Sequence, residues 1–196
     1  MPVGSTICAT VEGILDAAVV KKVIGRVGAN PGGCHVKNGK TEVRKKLSGY
    51  GKAASHRPWI VLIDLDEDAD CAPSLRKDWL PAPEPQLCFR IAVRAVEAWL
   101  LADAGGIARF LRVDRTAIPL DPEGLADPKA EIVKLAGGSK SSYIRADMVP
   151  RPGSGRKTGP AYVSRLIEFV QCHWQPDRAV ERSESLRRAI ESLRRL

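Results

Sequence analysis

The chain has 196 residues, 44% of them hydrophobic, and a formal net charge of +8, enough for one substantial core and too apolar for disorder throughout. No basic start followed by an apolar stretch opens it, and no apolar run approaches a membrane span, so the expectation is a cytoplasmic protein without membrane contact. Five scattered cysteines without a C-x-x-C pair argue against a disulfide scaffold or a structural zinc site.

Thr6 to Val11 reads as a first strand, ended by Glu12-Gly13. Val20, Val23, Ile24 and Val27 then fall at i, i+3, i+4 and i+7, one face of a helix packed on a sheet. Asp16 follows Glu12 by four residues and reads equally as a ligand or as an acidic helix cap. Gly25 to Gly39 is rich in Gly, Pro and Asn and holds a short second strand near Cys34-His35-Val36. A helix begins around Thr41 with Val43, Leu47, Tyr50 and Ala54 on one side, and Gly49 and Gly51 weaken its second half.

The next strand, Trp59 to Asp64, is an unbroken apolar run with an acidic end, the pattern of a buried parallel strand opening onto a site. Strand alternation places Asp64 and Asp66 on one side and Leu65 on the other. Two carboxylates so placed need a cation, most simply a divalent metal. Asp68 and Asp70 extend the site or serve as an exposed acidic loop. A short helix starts near Pro73, a stiff connector spans Leu80 to Pro85, and Leu87 to Val93 forms another strand. Val96, Trp99 and Leu100 give a buried helix face with Glu97 at its start, and Asp103 is a turn or cap residue before Gly105-Gly106. Strands alternating with helices predict an α/β fold with a mostly parallel sheet covered on both sides.

The second half is helical. Asp121-Pro122 and Asp127-Pro128 each resemble an N-cap followed by proline, and a helix from Pro128 closes at Gly137-Gly138. Residues 139–160 read as an irregular basic loop. Its Gly153-Ser154-Gly155-Arg156-Lys157-Thr158 lacks the leading glycine and the preceding strand of a phosphate loop. Tyr162, Leu166, Phe169, Val170 and His173 mark an amphipathic helix with Thr158 as a candidate cap. Leu186, Ile190 and Leu193 face inward on the last helix, where Glu184–Arg188 and Glu191–Arg195 form i,i+4 pairs.

Charge is distributed unevenly. From Ala17 to Ile63 the bases Lys21, Lys22, Arg26, Lys37, Lys40, Arg44, Lys45, Lys46, Lys52 and Arg57 face only Glu42, and a dense acidic stretch follows at once. A basic surface beside an acidic site points to a polyanion held near a metal.

The order strand, Glu12-Gly13, helix, then a hydrophobic strand ending Asp64-Leu65-Asp66 resembles the Toprim domain of topoisomerases, primases and several nucleases. Val11-Glu12-Gly13-Ile14-Leu15-Asp16 is similar to its glutamate motif and Ile63-Asp64-Leu65-Asp66 to its aspartate motif. A narrower likeness, to a bacterial family of small Toprim-like proteins (domain of unknown function 4276), rests on four further segments. They are Phe89 to Arg94 running on through Glu97 to Asp103, Asp127-Pro128-Lys129, Gly159 to Tyr162, and Ser183 to Leu186. Where that family commonly has an acidic residue this chain has Ala95, which offers no ligand.

The resemblance implies a Toprim-like (Rossmann-like) core over residues 1–104 with a helical extension over 105–196. It also implies a role in defence against phage or foreign DNA, often beside an ABC-type ATPase. The expected chemistry is phosphodiester hydrolysis with Mg²⁺ or Mn²⁺. Glu12, Asp64, Asp66 and Glu97 are the candidate catalytic residues, and these four with Asp16 the candidate metal ligands. Arg90, Arg94, Lys129 and Lys157 are candidates to contact nucleic-acid phosphate, DNA before RNA, or to form salt bridges. The alternatives are a nucleic-acid-binding or effector subunit of an ABC-type ATPase complex, inactive alone, and a phosphotransferase or phosphatase on small phosphate esters.

Overall fold

The computed structural model describes residues 4–69, 71–82 and 84–196. Asp70, an acidic-site candidate, Pro83 of the stiff connector and the opening Met1-Pro2-Val3 lie outside the described residues. The chain forms two compact units, one built from the chain through Val93 together with Glu184–Leu196, the other from Arg94–Ser183.

The first unit alternates β1 (Thr6–Val11), α1 (Ile14–Arg26), β2 (Asn30–Val36), α2 (Lys40–Ala54), β3 (Trp59–Asp64), α3 (Ala72–Trp79) and β4 (Leu87–Ala92). Its four strands form one sheet in the order β2-β1-β3-β4, and every pairing is parallel. This is the expected α/β class, a parallel sheet flanked by helices in a Rossmann-like arrangement. Val61, Ile63, Leu87, Phe89 and Ile91 pack in one buried cluster with Val43, Leu47 and Tyr50 of α2 and Leu75 of α3. Those strand residues share one alternation, so α2 and α3 cover one sheet face.

The opposite face of β4 receives the last helix, α10 (Glu184–Leu193). Arg90 points that way and its Nη2 donates to Ser192 Oγ, while Val93 N–H donates to Ser185 Oγ over 3.3 Å. α10 also contacts α1. The sequence reading divides the chain after residue 104 and groups this helix with the extension. In the fold its buried stripe of Leu186, Ile190 and Leu193 is used by the first unit.

β2 is longer than its sequence suggests, because an edge strand tolerates Pro31 and glycines that a central strand would not. At Gly32 an added Cβ would lie 2.9 Å from Thr6 Cγ2 and 3.1 Å from Cys8 Sγ, so the glycine admits the close approach of β1. α2 runs through Gly49 and Gly51 without a break.

The second unit holds α4 (Val96–Ala102), α5 (Ala104–Leu111), α6 (Pro128–Gly137), α7 (Ser142–Met148), α8 (Tyr162–Cys172) and α9 (Pro176–Ala179). Asp103 organises it from a position only 1% exposed. Its Oδ1 accepts from Gly106 N and Arg178 Nε, and its Oδ2 from Gln175 N and Arg178 Nη2, over 2.8–3.0 Å. The carboxylate caps α5, the second of the two readings given for Asp103, and Gly105-Gly106 lie in that helix's first turn. Asp127 caps α6 through Ala130 N as its Asp-Pro pair implies, but Asp121 makes only a local turn to Gly124 N.

Two expectations in this unit are corrected. Part of the irregular stretch 139–160 is α7, whose N-terminus is capped by Ser141 and whose Ile144 and Met148 are buried. α8 begins at Tyr162 with Ala161 at the cap position rather than Thr158. No helix among the described residues is long and apolar enough to cross a membrane.

Candidate functional site

The strand order places a topological switch between β1 and β3: the chain leaves β1 for the β2 edge, then crosses back to lay β3 on β1's other side. Open α/β sheets bind ligands beyond the carboxyl ends of the strands at such a point. Glu12 directly follows β1 and Asp64 ends β3. Asp64 N–H donates to Glu12 Oε1 over 2.9 Å, so the two strand ends are tied by the candidate residues themselves. Burial pushes the Glu12 carboxyl up to about 7, against the lowering effect of that N–H and of the Lys40 charge; the Asp16 and Asp66 charges push it further up.

Asp66 joins this group by a route other than the expected one. β3 stops at Asp64, and Asp66 has φ 47°, in the left-handed region. Aspartate is among the few residues that enter this region with some ease. Alternation therefore governs Leu65, which is 2% exposed and packs in the α2/α3 cluster. The Asp66 side chain is set by a turn.

What fixes that turn is Lys40, the first residue of α2. Its Nζ lies 2.7 Å from Asp66 Oδ2, donates to Leu65 O over 3.2 Å, and contacts Asp68 Oδ2. An ammonium has three protons to donate, and these three acceptors use them all. Burial works against the Lys40 charge, but the hydrogen bonds to Asp66 and Asp68, with the Asp66 and Glu12 charges, outweigh it and hold its pKa above the usual lysine value. Sequence reasoning counted Lys40 among ordinary surface bases; nothing local marks it, because its partners lie more than 24 residues away.

Asp16 takes the capping role that was one of its two readings. Gly13 N–H donates to Asp16 Oδ2 over 2.6 Å at the start of α1, and the side chain is buried. The charge also reaches Glu12.

Glu97 belongs to the second unit. It is 3% exposed, receives Tyr162 Oη–H over 3.4 Å, and has Lys129 Nζ at 3.8 Å. Burial, then the Glu97 charge, raises the Tyr162 hydroxyl far above its ordinary range. Of the basic candidates, Lys129 thus pairs with Glu97, Arg90 bonds to Ser192, Arg94 is half-buried and Lys157 is exposed.

Carboxylate oxygens are the donors that Mg²⁺ and Mn²⁺ take. Glu12, Asp64 and Asp66 supply that donor type at one end of two adjacent strands, and in kind they fit such an ion. Among the described residues no three His, Cys, Asp or Glu side chains stand together as ligands of one metal, and the positive charge beside Asp66 and Asp68 is supplied by Lys40. Comparison of the chain with family models, curated proteins and solved structures found no match.

Proposed function

We propose that the first unit is a metal-dependent phosphodiesterase acting on nucleic acid, of the Toprim type that its two acidic motifs resemble. The observation that carries this reading is the bond from Asp64 N–H to Glu12 at the β1/β3 switch point, with the Asp66 charge felt at Glu12 and Lys40 paired to Asp66. Glu12, Asp64 and Asp66 would hold Mg²⁺ or Mn²⁺, which neutralises charge on the phosphodiester and activates water.

The chain's own residues prepare the site. Glu12 accepts the Asp64 N–H and so fixes the backbone of the aspartate loop. Lys40 pairs with Asp66 and Asp68 and so neutralises the acidic turn in the metal-free chain. Basic residues of the same unit, including exposed Lys21, Arg26, Lys46, Lys52 and Arg57, give a polyanion reason to approach. Glu97 does not enter this mechanism.

The test is incubation of the purified chain with supercoiled plasmid and with single-stranded DNA and RNA, in Mg²⁺ or Mn²⁺. Cleavage that disappears in EDTA and in Asp64→Ala is expected. Absence of cleavage with every substrate and both metals, or cleavage undiminished in Asp64→Ala, overturns the reading.

A further inference from the structure

The second unit contains a cleft of about 600 Å³ between the end of α5, the start of α7 and the end of α8. Its size is that of pockets which enclose small organic ligands. Four arginines line it, Arg109, Arg112, Arg165 and Arg178, against one acid, Glu168. Two are already committed: Arg165 to Asp147 and Glu168, and Arg178 to Asp103. The Glu168 charge is thereby answered within the wall. Arg109 and Arg112 are different, because no ion pair or side-chain hydrogen bond holds either guanidinium among the described residues.

Arg112 also stands where a side chain is unusual. It ends α5 at φ 54°, the left-handed position that glycine commonly fills. Its carbonyl accepts Lys140 N–H over 3.2 Å, which secures the backbone there. An exposed arginine in that conformation, unpaired on the rim of a cleft, is free to meet a group from outside the chain.

Beside these guanidinium groups lies aromatic surface. Phe110 and His173 both line the cleft, with ring centroids 5.8 Å apart and planes tilted by 45°, and Phe110 is backed by Phe169, which is fully buried. An aromatic wall next to two unpaired planar cations suits a ligand with both a flat π-face and a phosphate group. A bare inorganic anion would use the arginines and leave the aromatic wall and most of the volume unused.

We propose that this cleft binds a nucleotide, its phosphate on Arg109 and Arg112 and its base against Phe110 and His173. The ligand is either a free mononucleotide or a nucleotide within a single strand; the recognised chemistry is the same. The site lies wholly within the second unit and does not depend on the acidic cluster of the first.

The test is titration of the full chain, in EDTA and at about 50 mM salt, where phosphate contacts are strongest. The probes are 5′-AMP, a short single-stranded oligothymidylate and inorganic phosphate. Saturable binding of AMP or of the oligonucleotide is expected, with inorganic phosphate at least about tenfold weaker because it lacks the base. AMP bound as tightly as the oligonucleotide assigns the site to free nucleotides, and a much tighter oligonucleotide assigns it to a strand.

Arg109→Ala with Arg112→Ala should weaken binding at least about tenfold, and His173→Ala several-fold, while exposed Lys134→Ala leaves it unchanged. All three arginine and histidine positions are at the surface, so coincident thermal melts are the check that the variants fold. Asp64→Ala should bind as the wild type does, so a failed cleavage assay leaves this proposal standing. No saturable binding of either nucleotide probe, inorganic phosphate binding as tightly as AMP, or wild-type affinity in the double arginine variant overturns it.

Discussion

Asp64 donates its backbone N–H to Glu12 Oε1 over 2.9 Å, joining residues 52 apart and the ends of two adjacent parallel strands. The bond is part of the fold as well as part of the candidate site, and two substitutions separate those roles. Glu12→Ala removes the acceptor and leaves a half-buried N–H without its partner, a loss of about 1–2 kcal/mol in urea denaturation. Glu12→Gln keeps a carbonyl acceptor and should fall within about 0.5 kcal/mol of the wild type at neutral pH. Under the proposed activity both variants lose cleavage by at least about a hundredfold, because only the charged oxygen is a ligand or a proton acceptor. A Glu12→Gln chain that cleaves at the wild-type rate would assign Glu12 to the fold alone.

Lys40 makes a second prediction. It is the ammonium of the acidic turn, with its own side chain 15% exposed but Asp66 and Asp68 at 58% and 49%. Solvent screens pairs so exposed, so Lys40→Met should cost no more than about 1 kcal/mol. The local effect is larger: the 3.2 Å bond from Asp68 N–H to Leu65 O loses its brace, and hydrogen exchange over residues 65–68 should quicken. With the ammonium gone, the carboxylates should bind Mn²⁺ more tightly, on the order of tenfold, the change that about 1.4 kcal/mol produces. Electron paramagnetic resonance of a Mn²⁺ titration reads this directly. Unchanged or weaker Mn²⁺ binding in Lys40→Met would show that Lys40 does not compete for the cation position.

How much of this could be read beforehand follows from the range of each interaction. β3 and α10 were legible because an apolar run and an i, i+4 stripe are local patterns. The nearness of Glu12 to the end of β3 was legible because adjacent parallel strands end on the same side of the sheet. The turn geometry of Asp66 was not, since the strand's alternation ends one residue too soon and a left-handed aspartate has no fixed sequence sign. Lys40 and the arginine cleft were invisible for a different reason: both are assembled from segments distant in sequence, and neither contains a motif. α5 was hidden by Gly105-Gly106, whose helical state depends on the Asp103 carboxylate accepting from Gly106 N and on the partners that hold that carboxylate.

Asp103 yields the pH prediction. Burial raises its pKa, but the Arg178 bond, the Gln175 and Gly106 N–H groups and the Arg178 charge together outweigh burial and hold it below the usual carboxylate value. A depressed folded-state pKa means that the unfolded chain binds the proton first. The stabilisation is therefore complete above the ordinary carboxylate pKa of about 4 and is lost as pH falls through the lower folded value. Asp103→Asn should be less stable than the wild type by about 3 kcal/mol at pH 7, where two bonds from Arg178 lose their charged acceptor. That gap should narrow as the pH is lowered below about 4. Urea melts at pH 7 and in acid measure it, and a gap constant across that range would remove the depressed pKa as the cause.

Two glycines give opposite predictions for the same substitution. At Gly159 an added Cβ would sit 2.5 Å from Met148 C and 2.7 Å from Val149 N, and against Asp147 O, all backbone atoms. Gly159 N–H also donates to Met148 O over 3.0 Å, so the chain after α7 cannot move aside without breaking that bond. Gly159→Ala should cost at least about 2–3 kcal/mol. At Gly49, inside α2 and exposed, nothing lies within 4 Å of the added Cβ. Gly49→Ala should stabilise by about 0.5–1 kcal/mol, because alanine loses less backbone entropy on entering a helix. Thermal melts of the two single variants decide both signs, and a Gly159→Ala chain as stable as the wild type would show that the segment joining α7 to α8 yields.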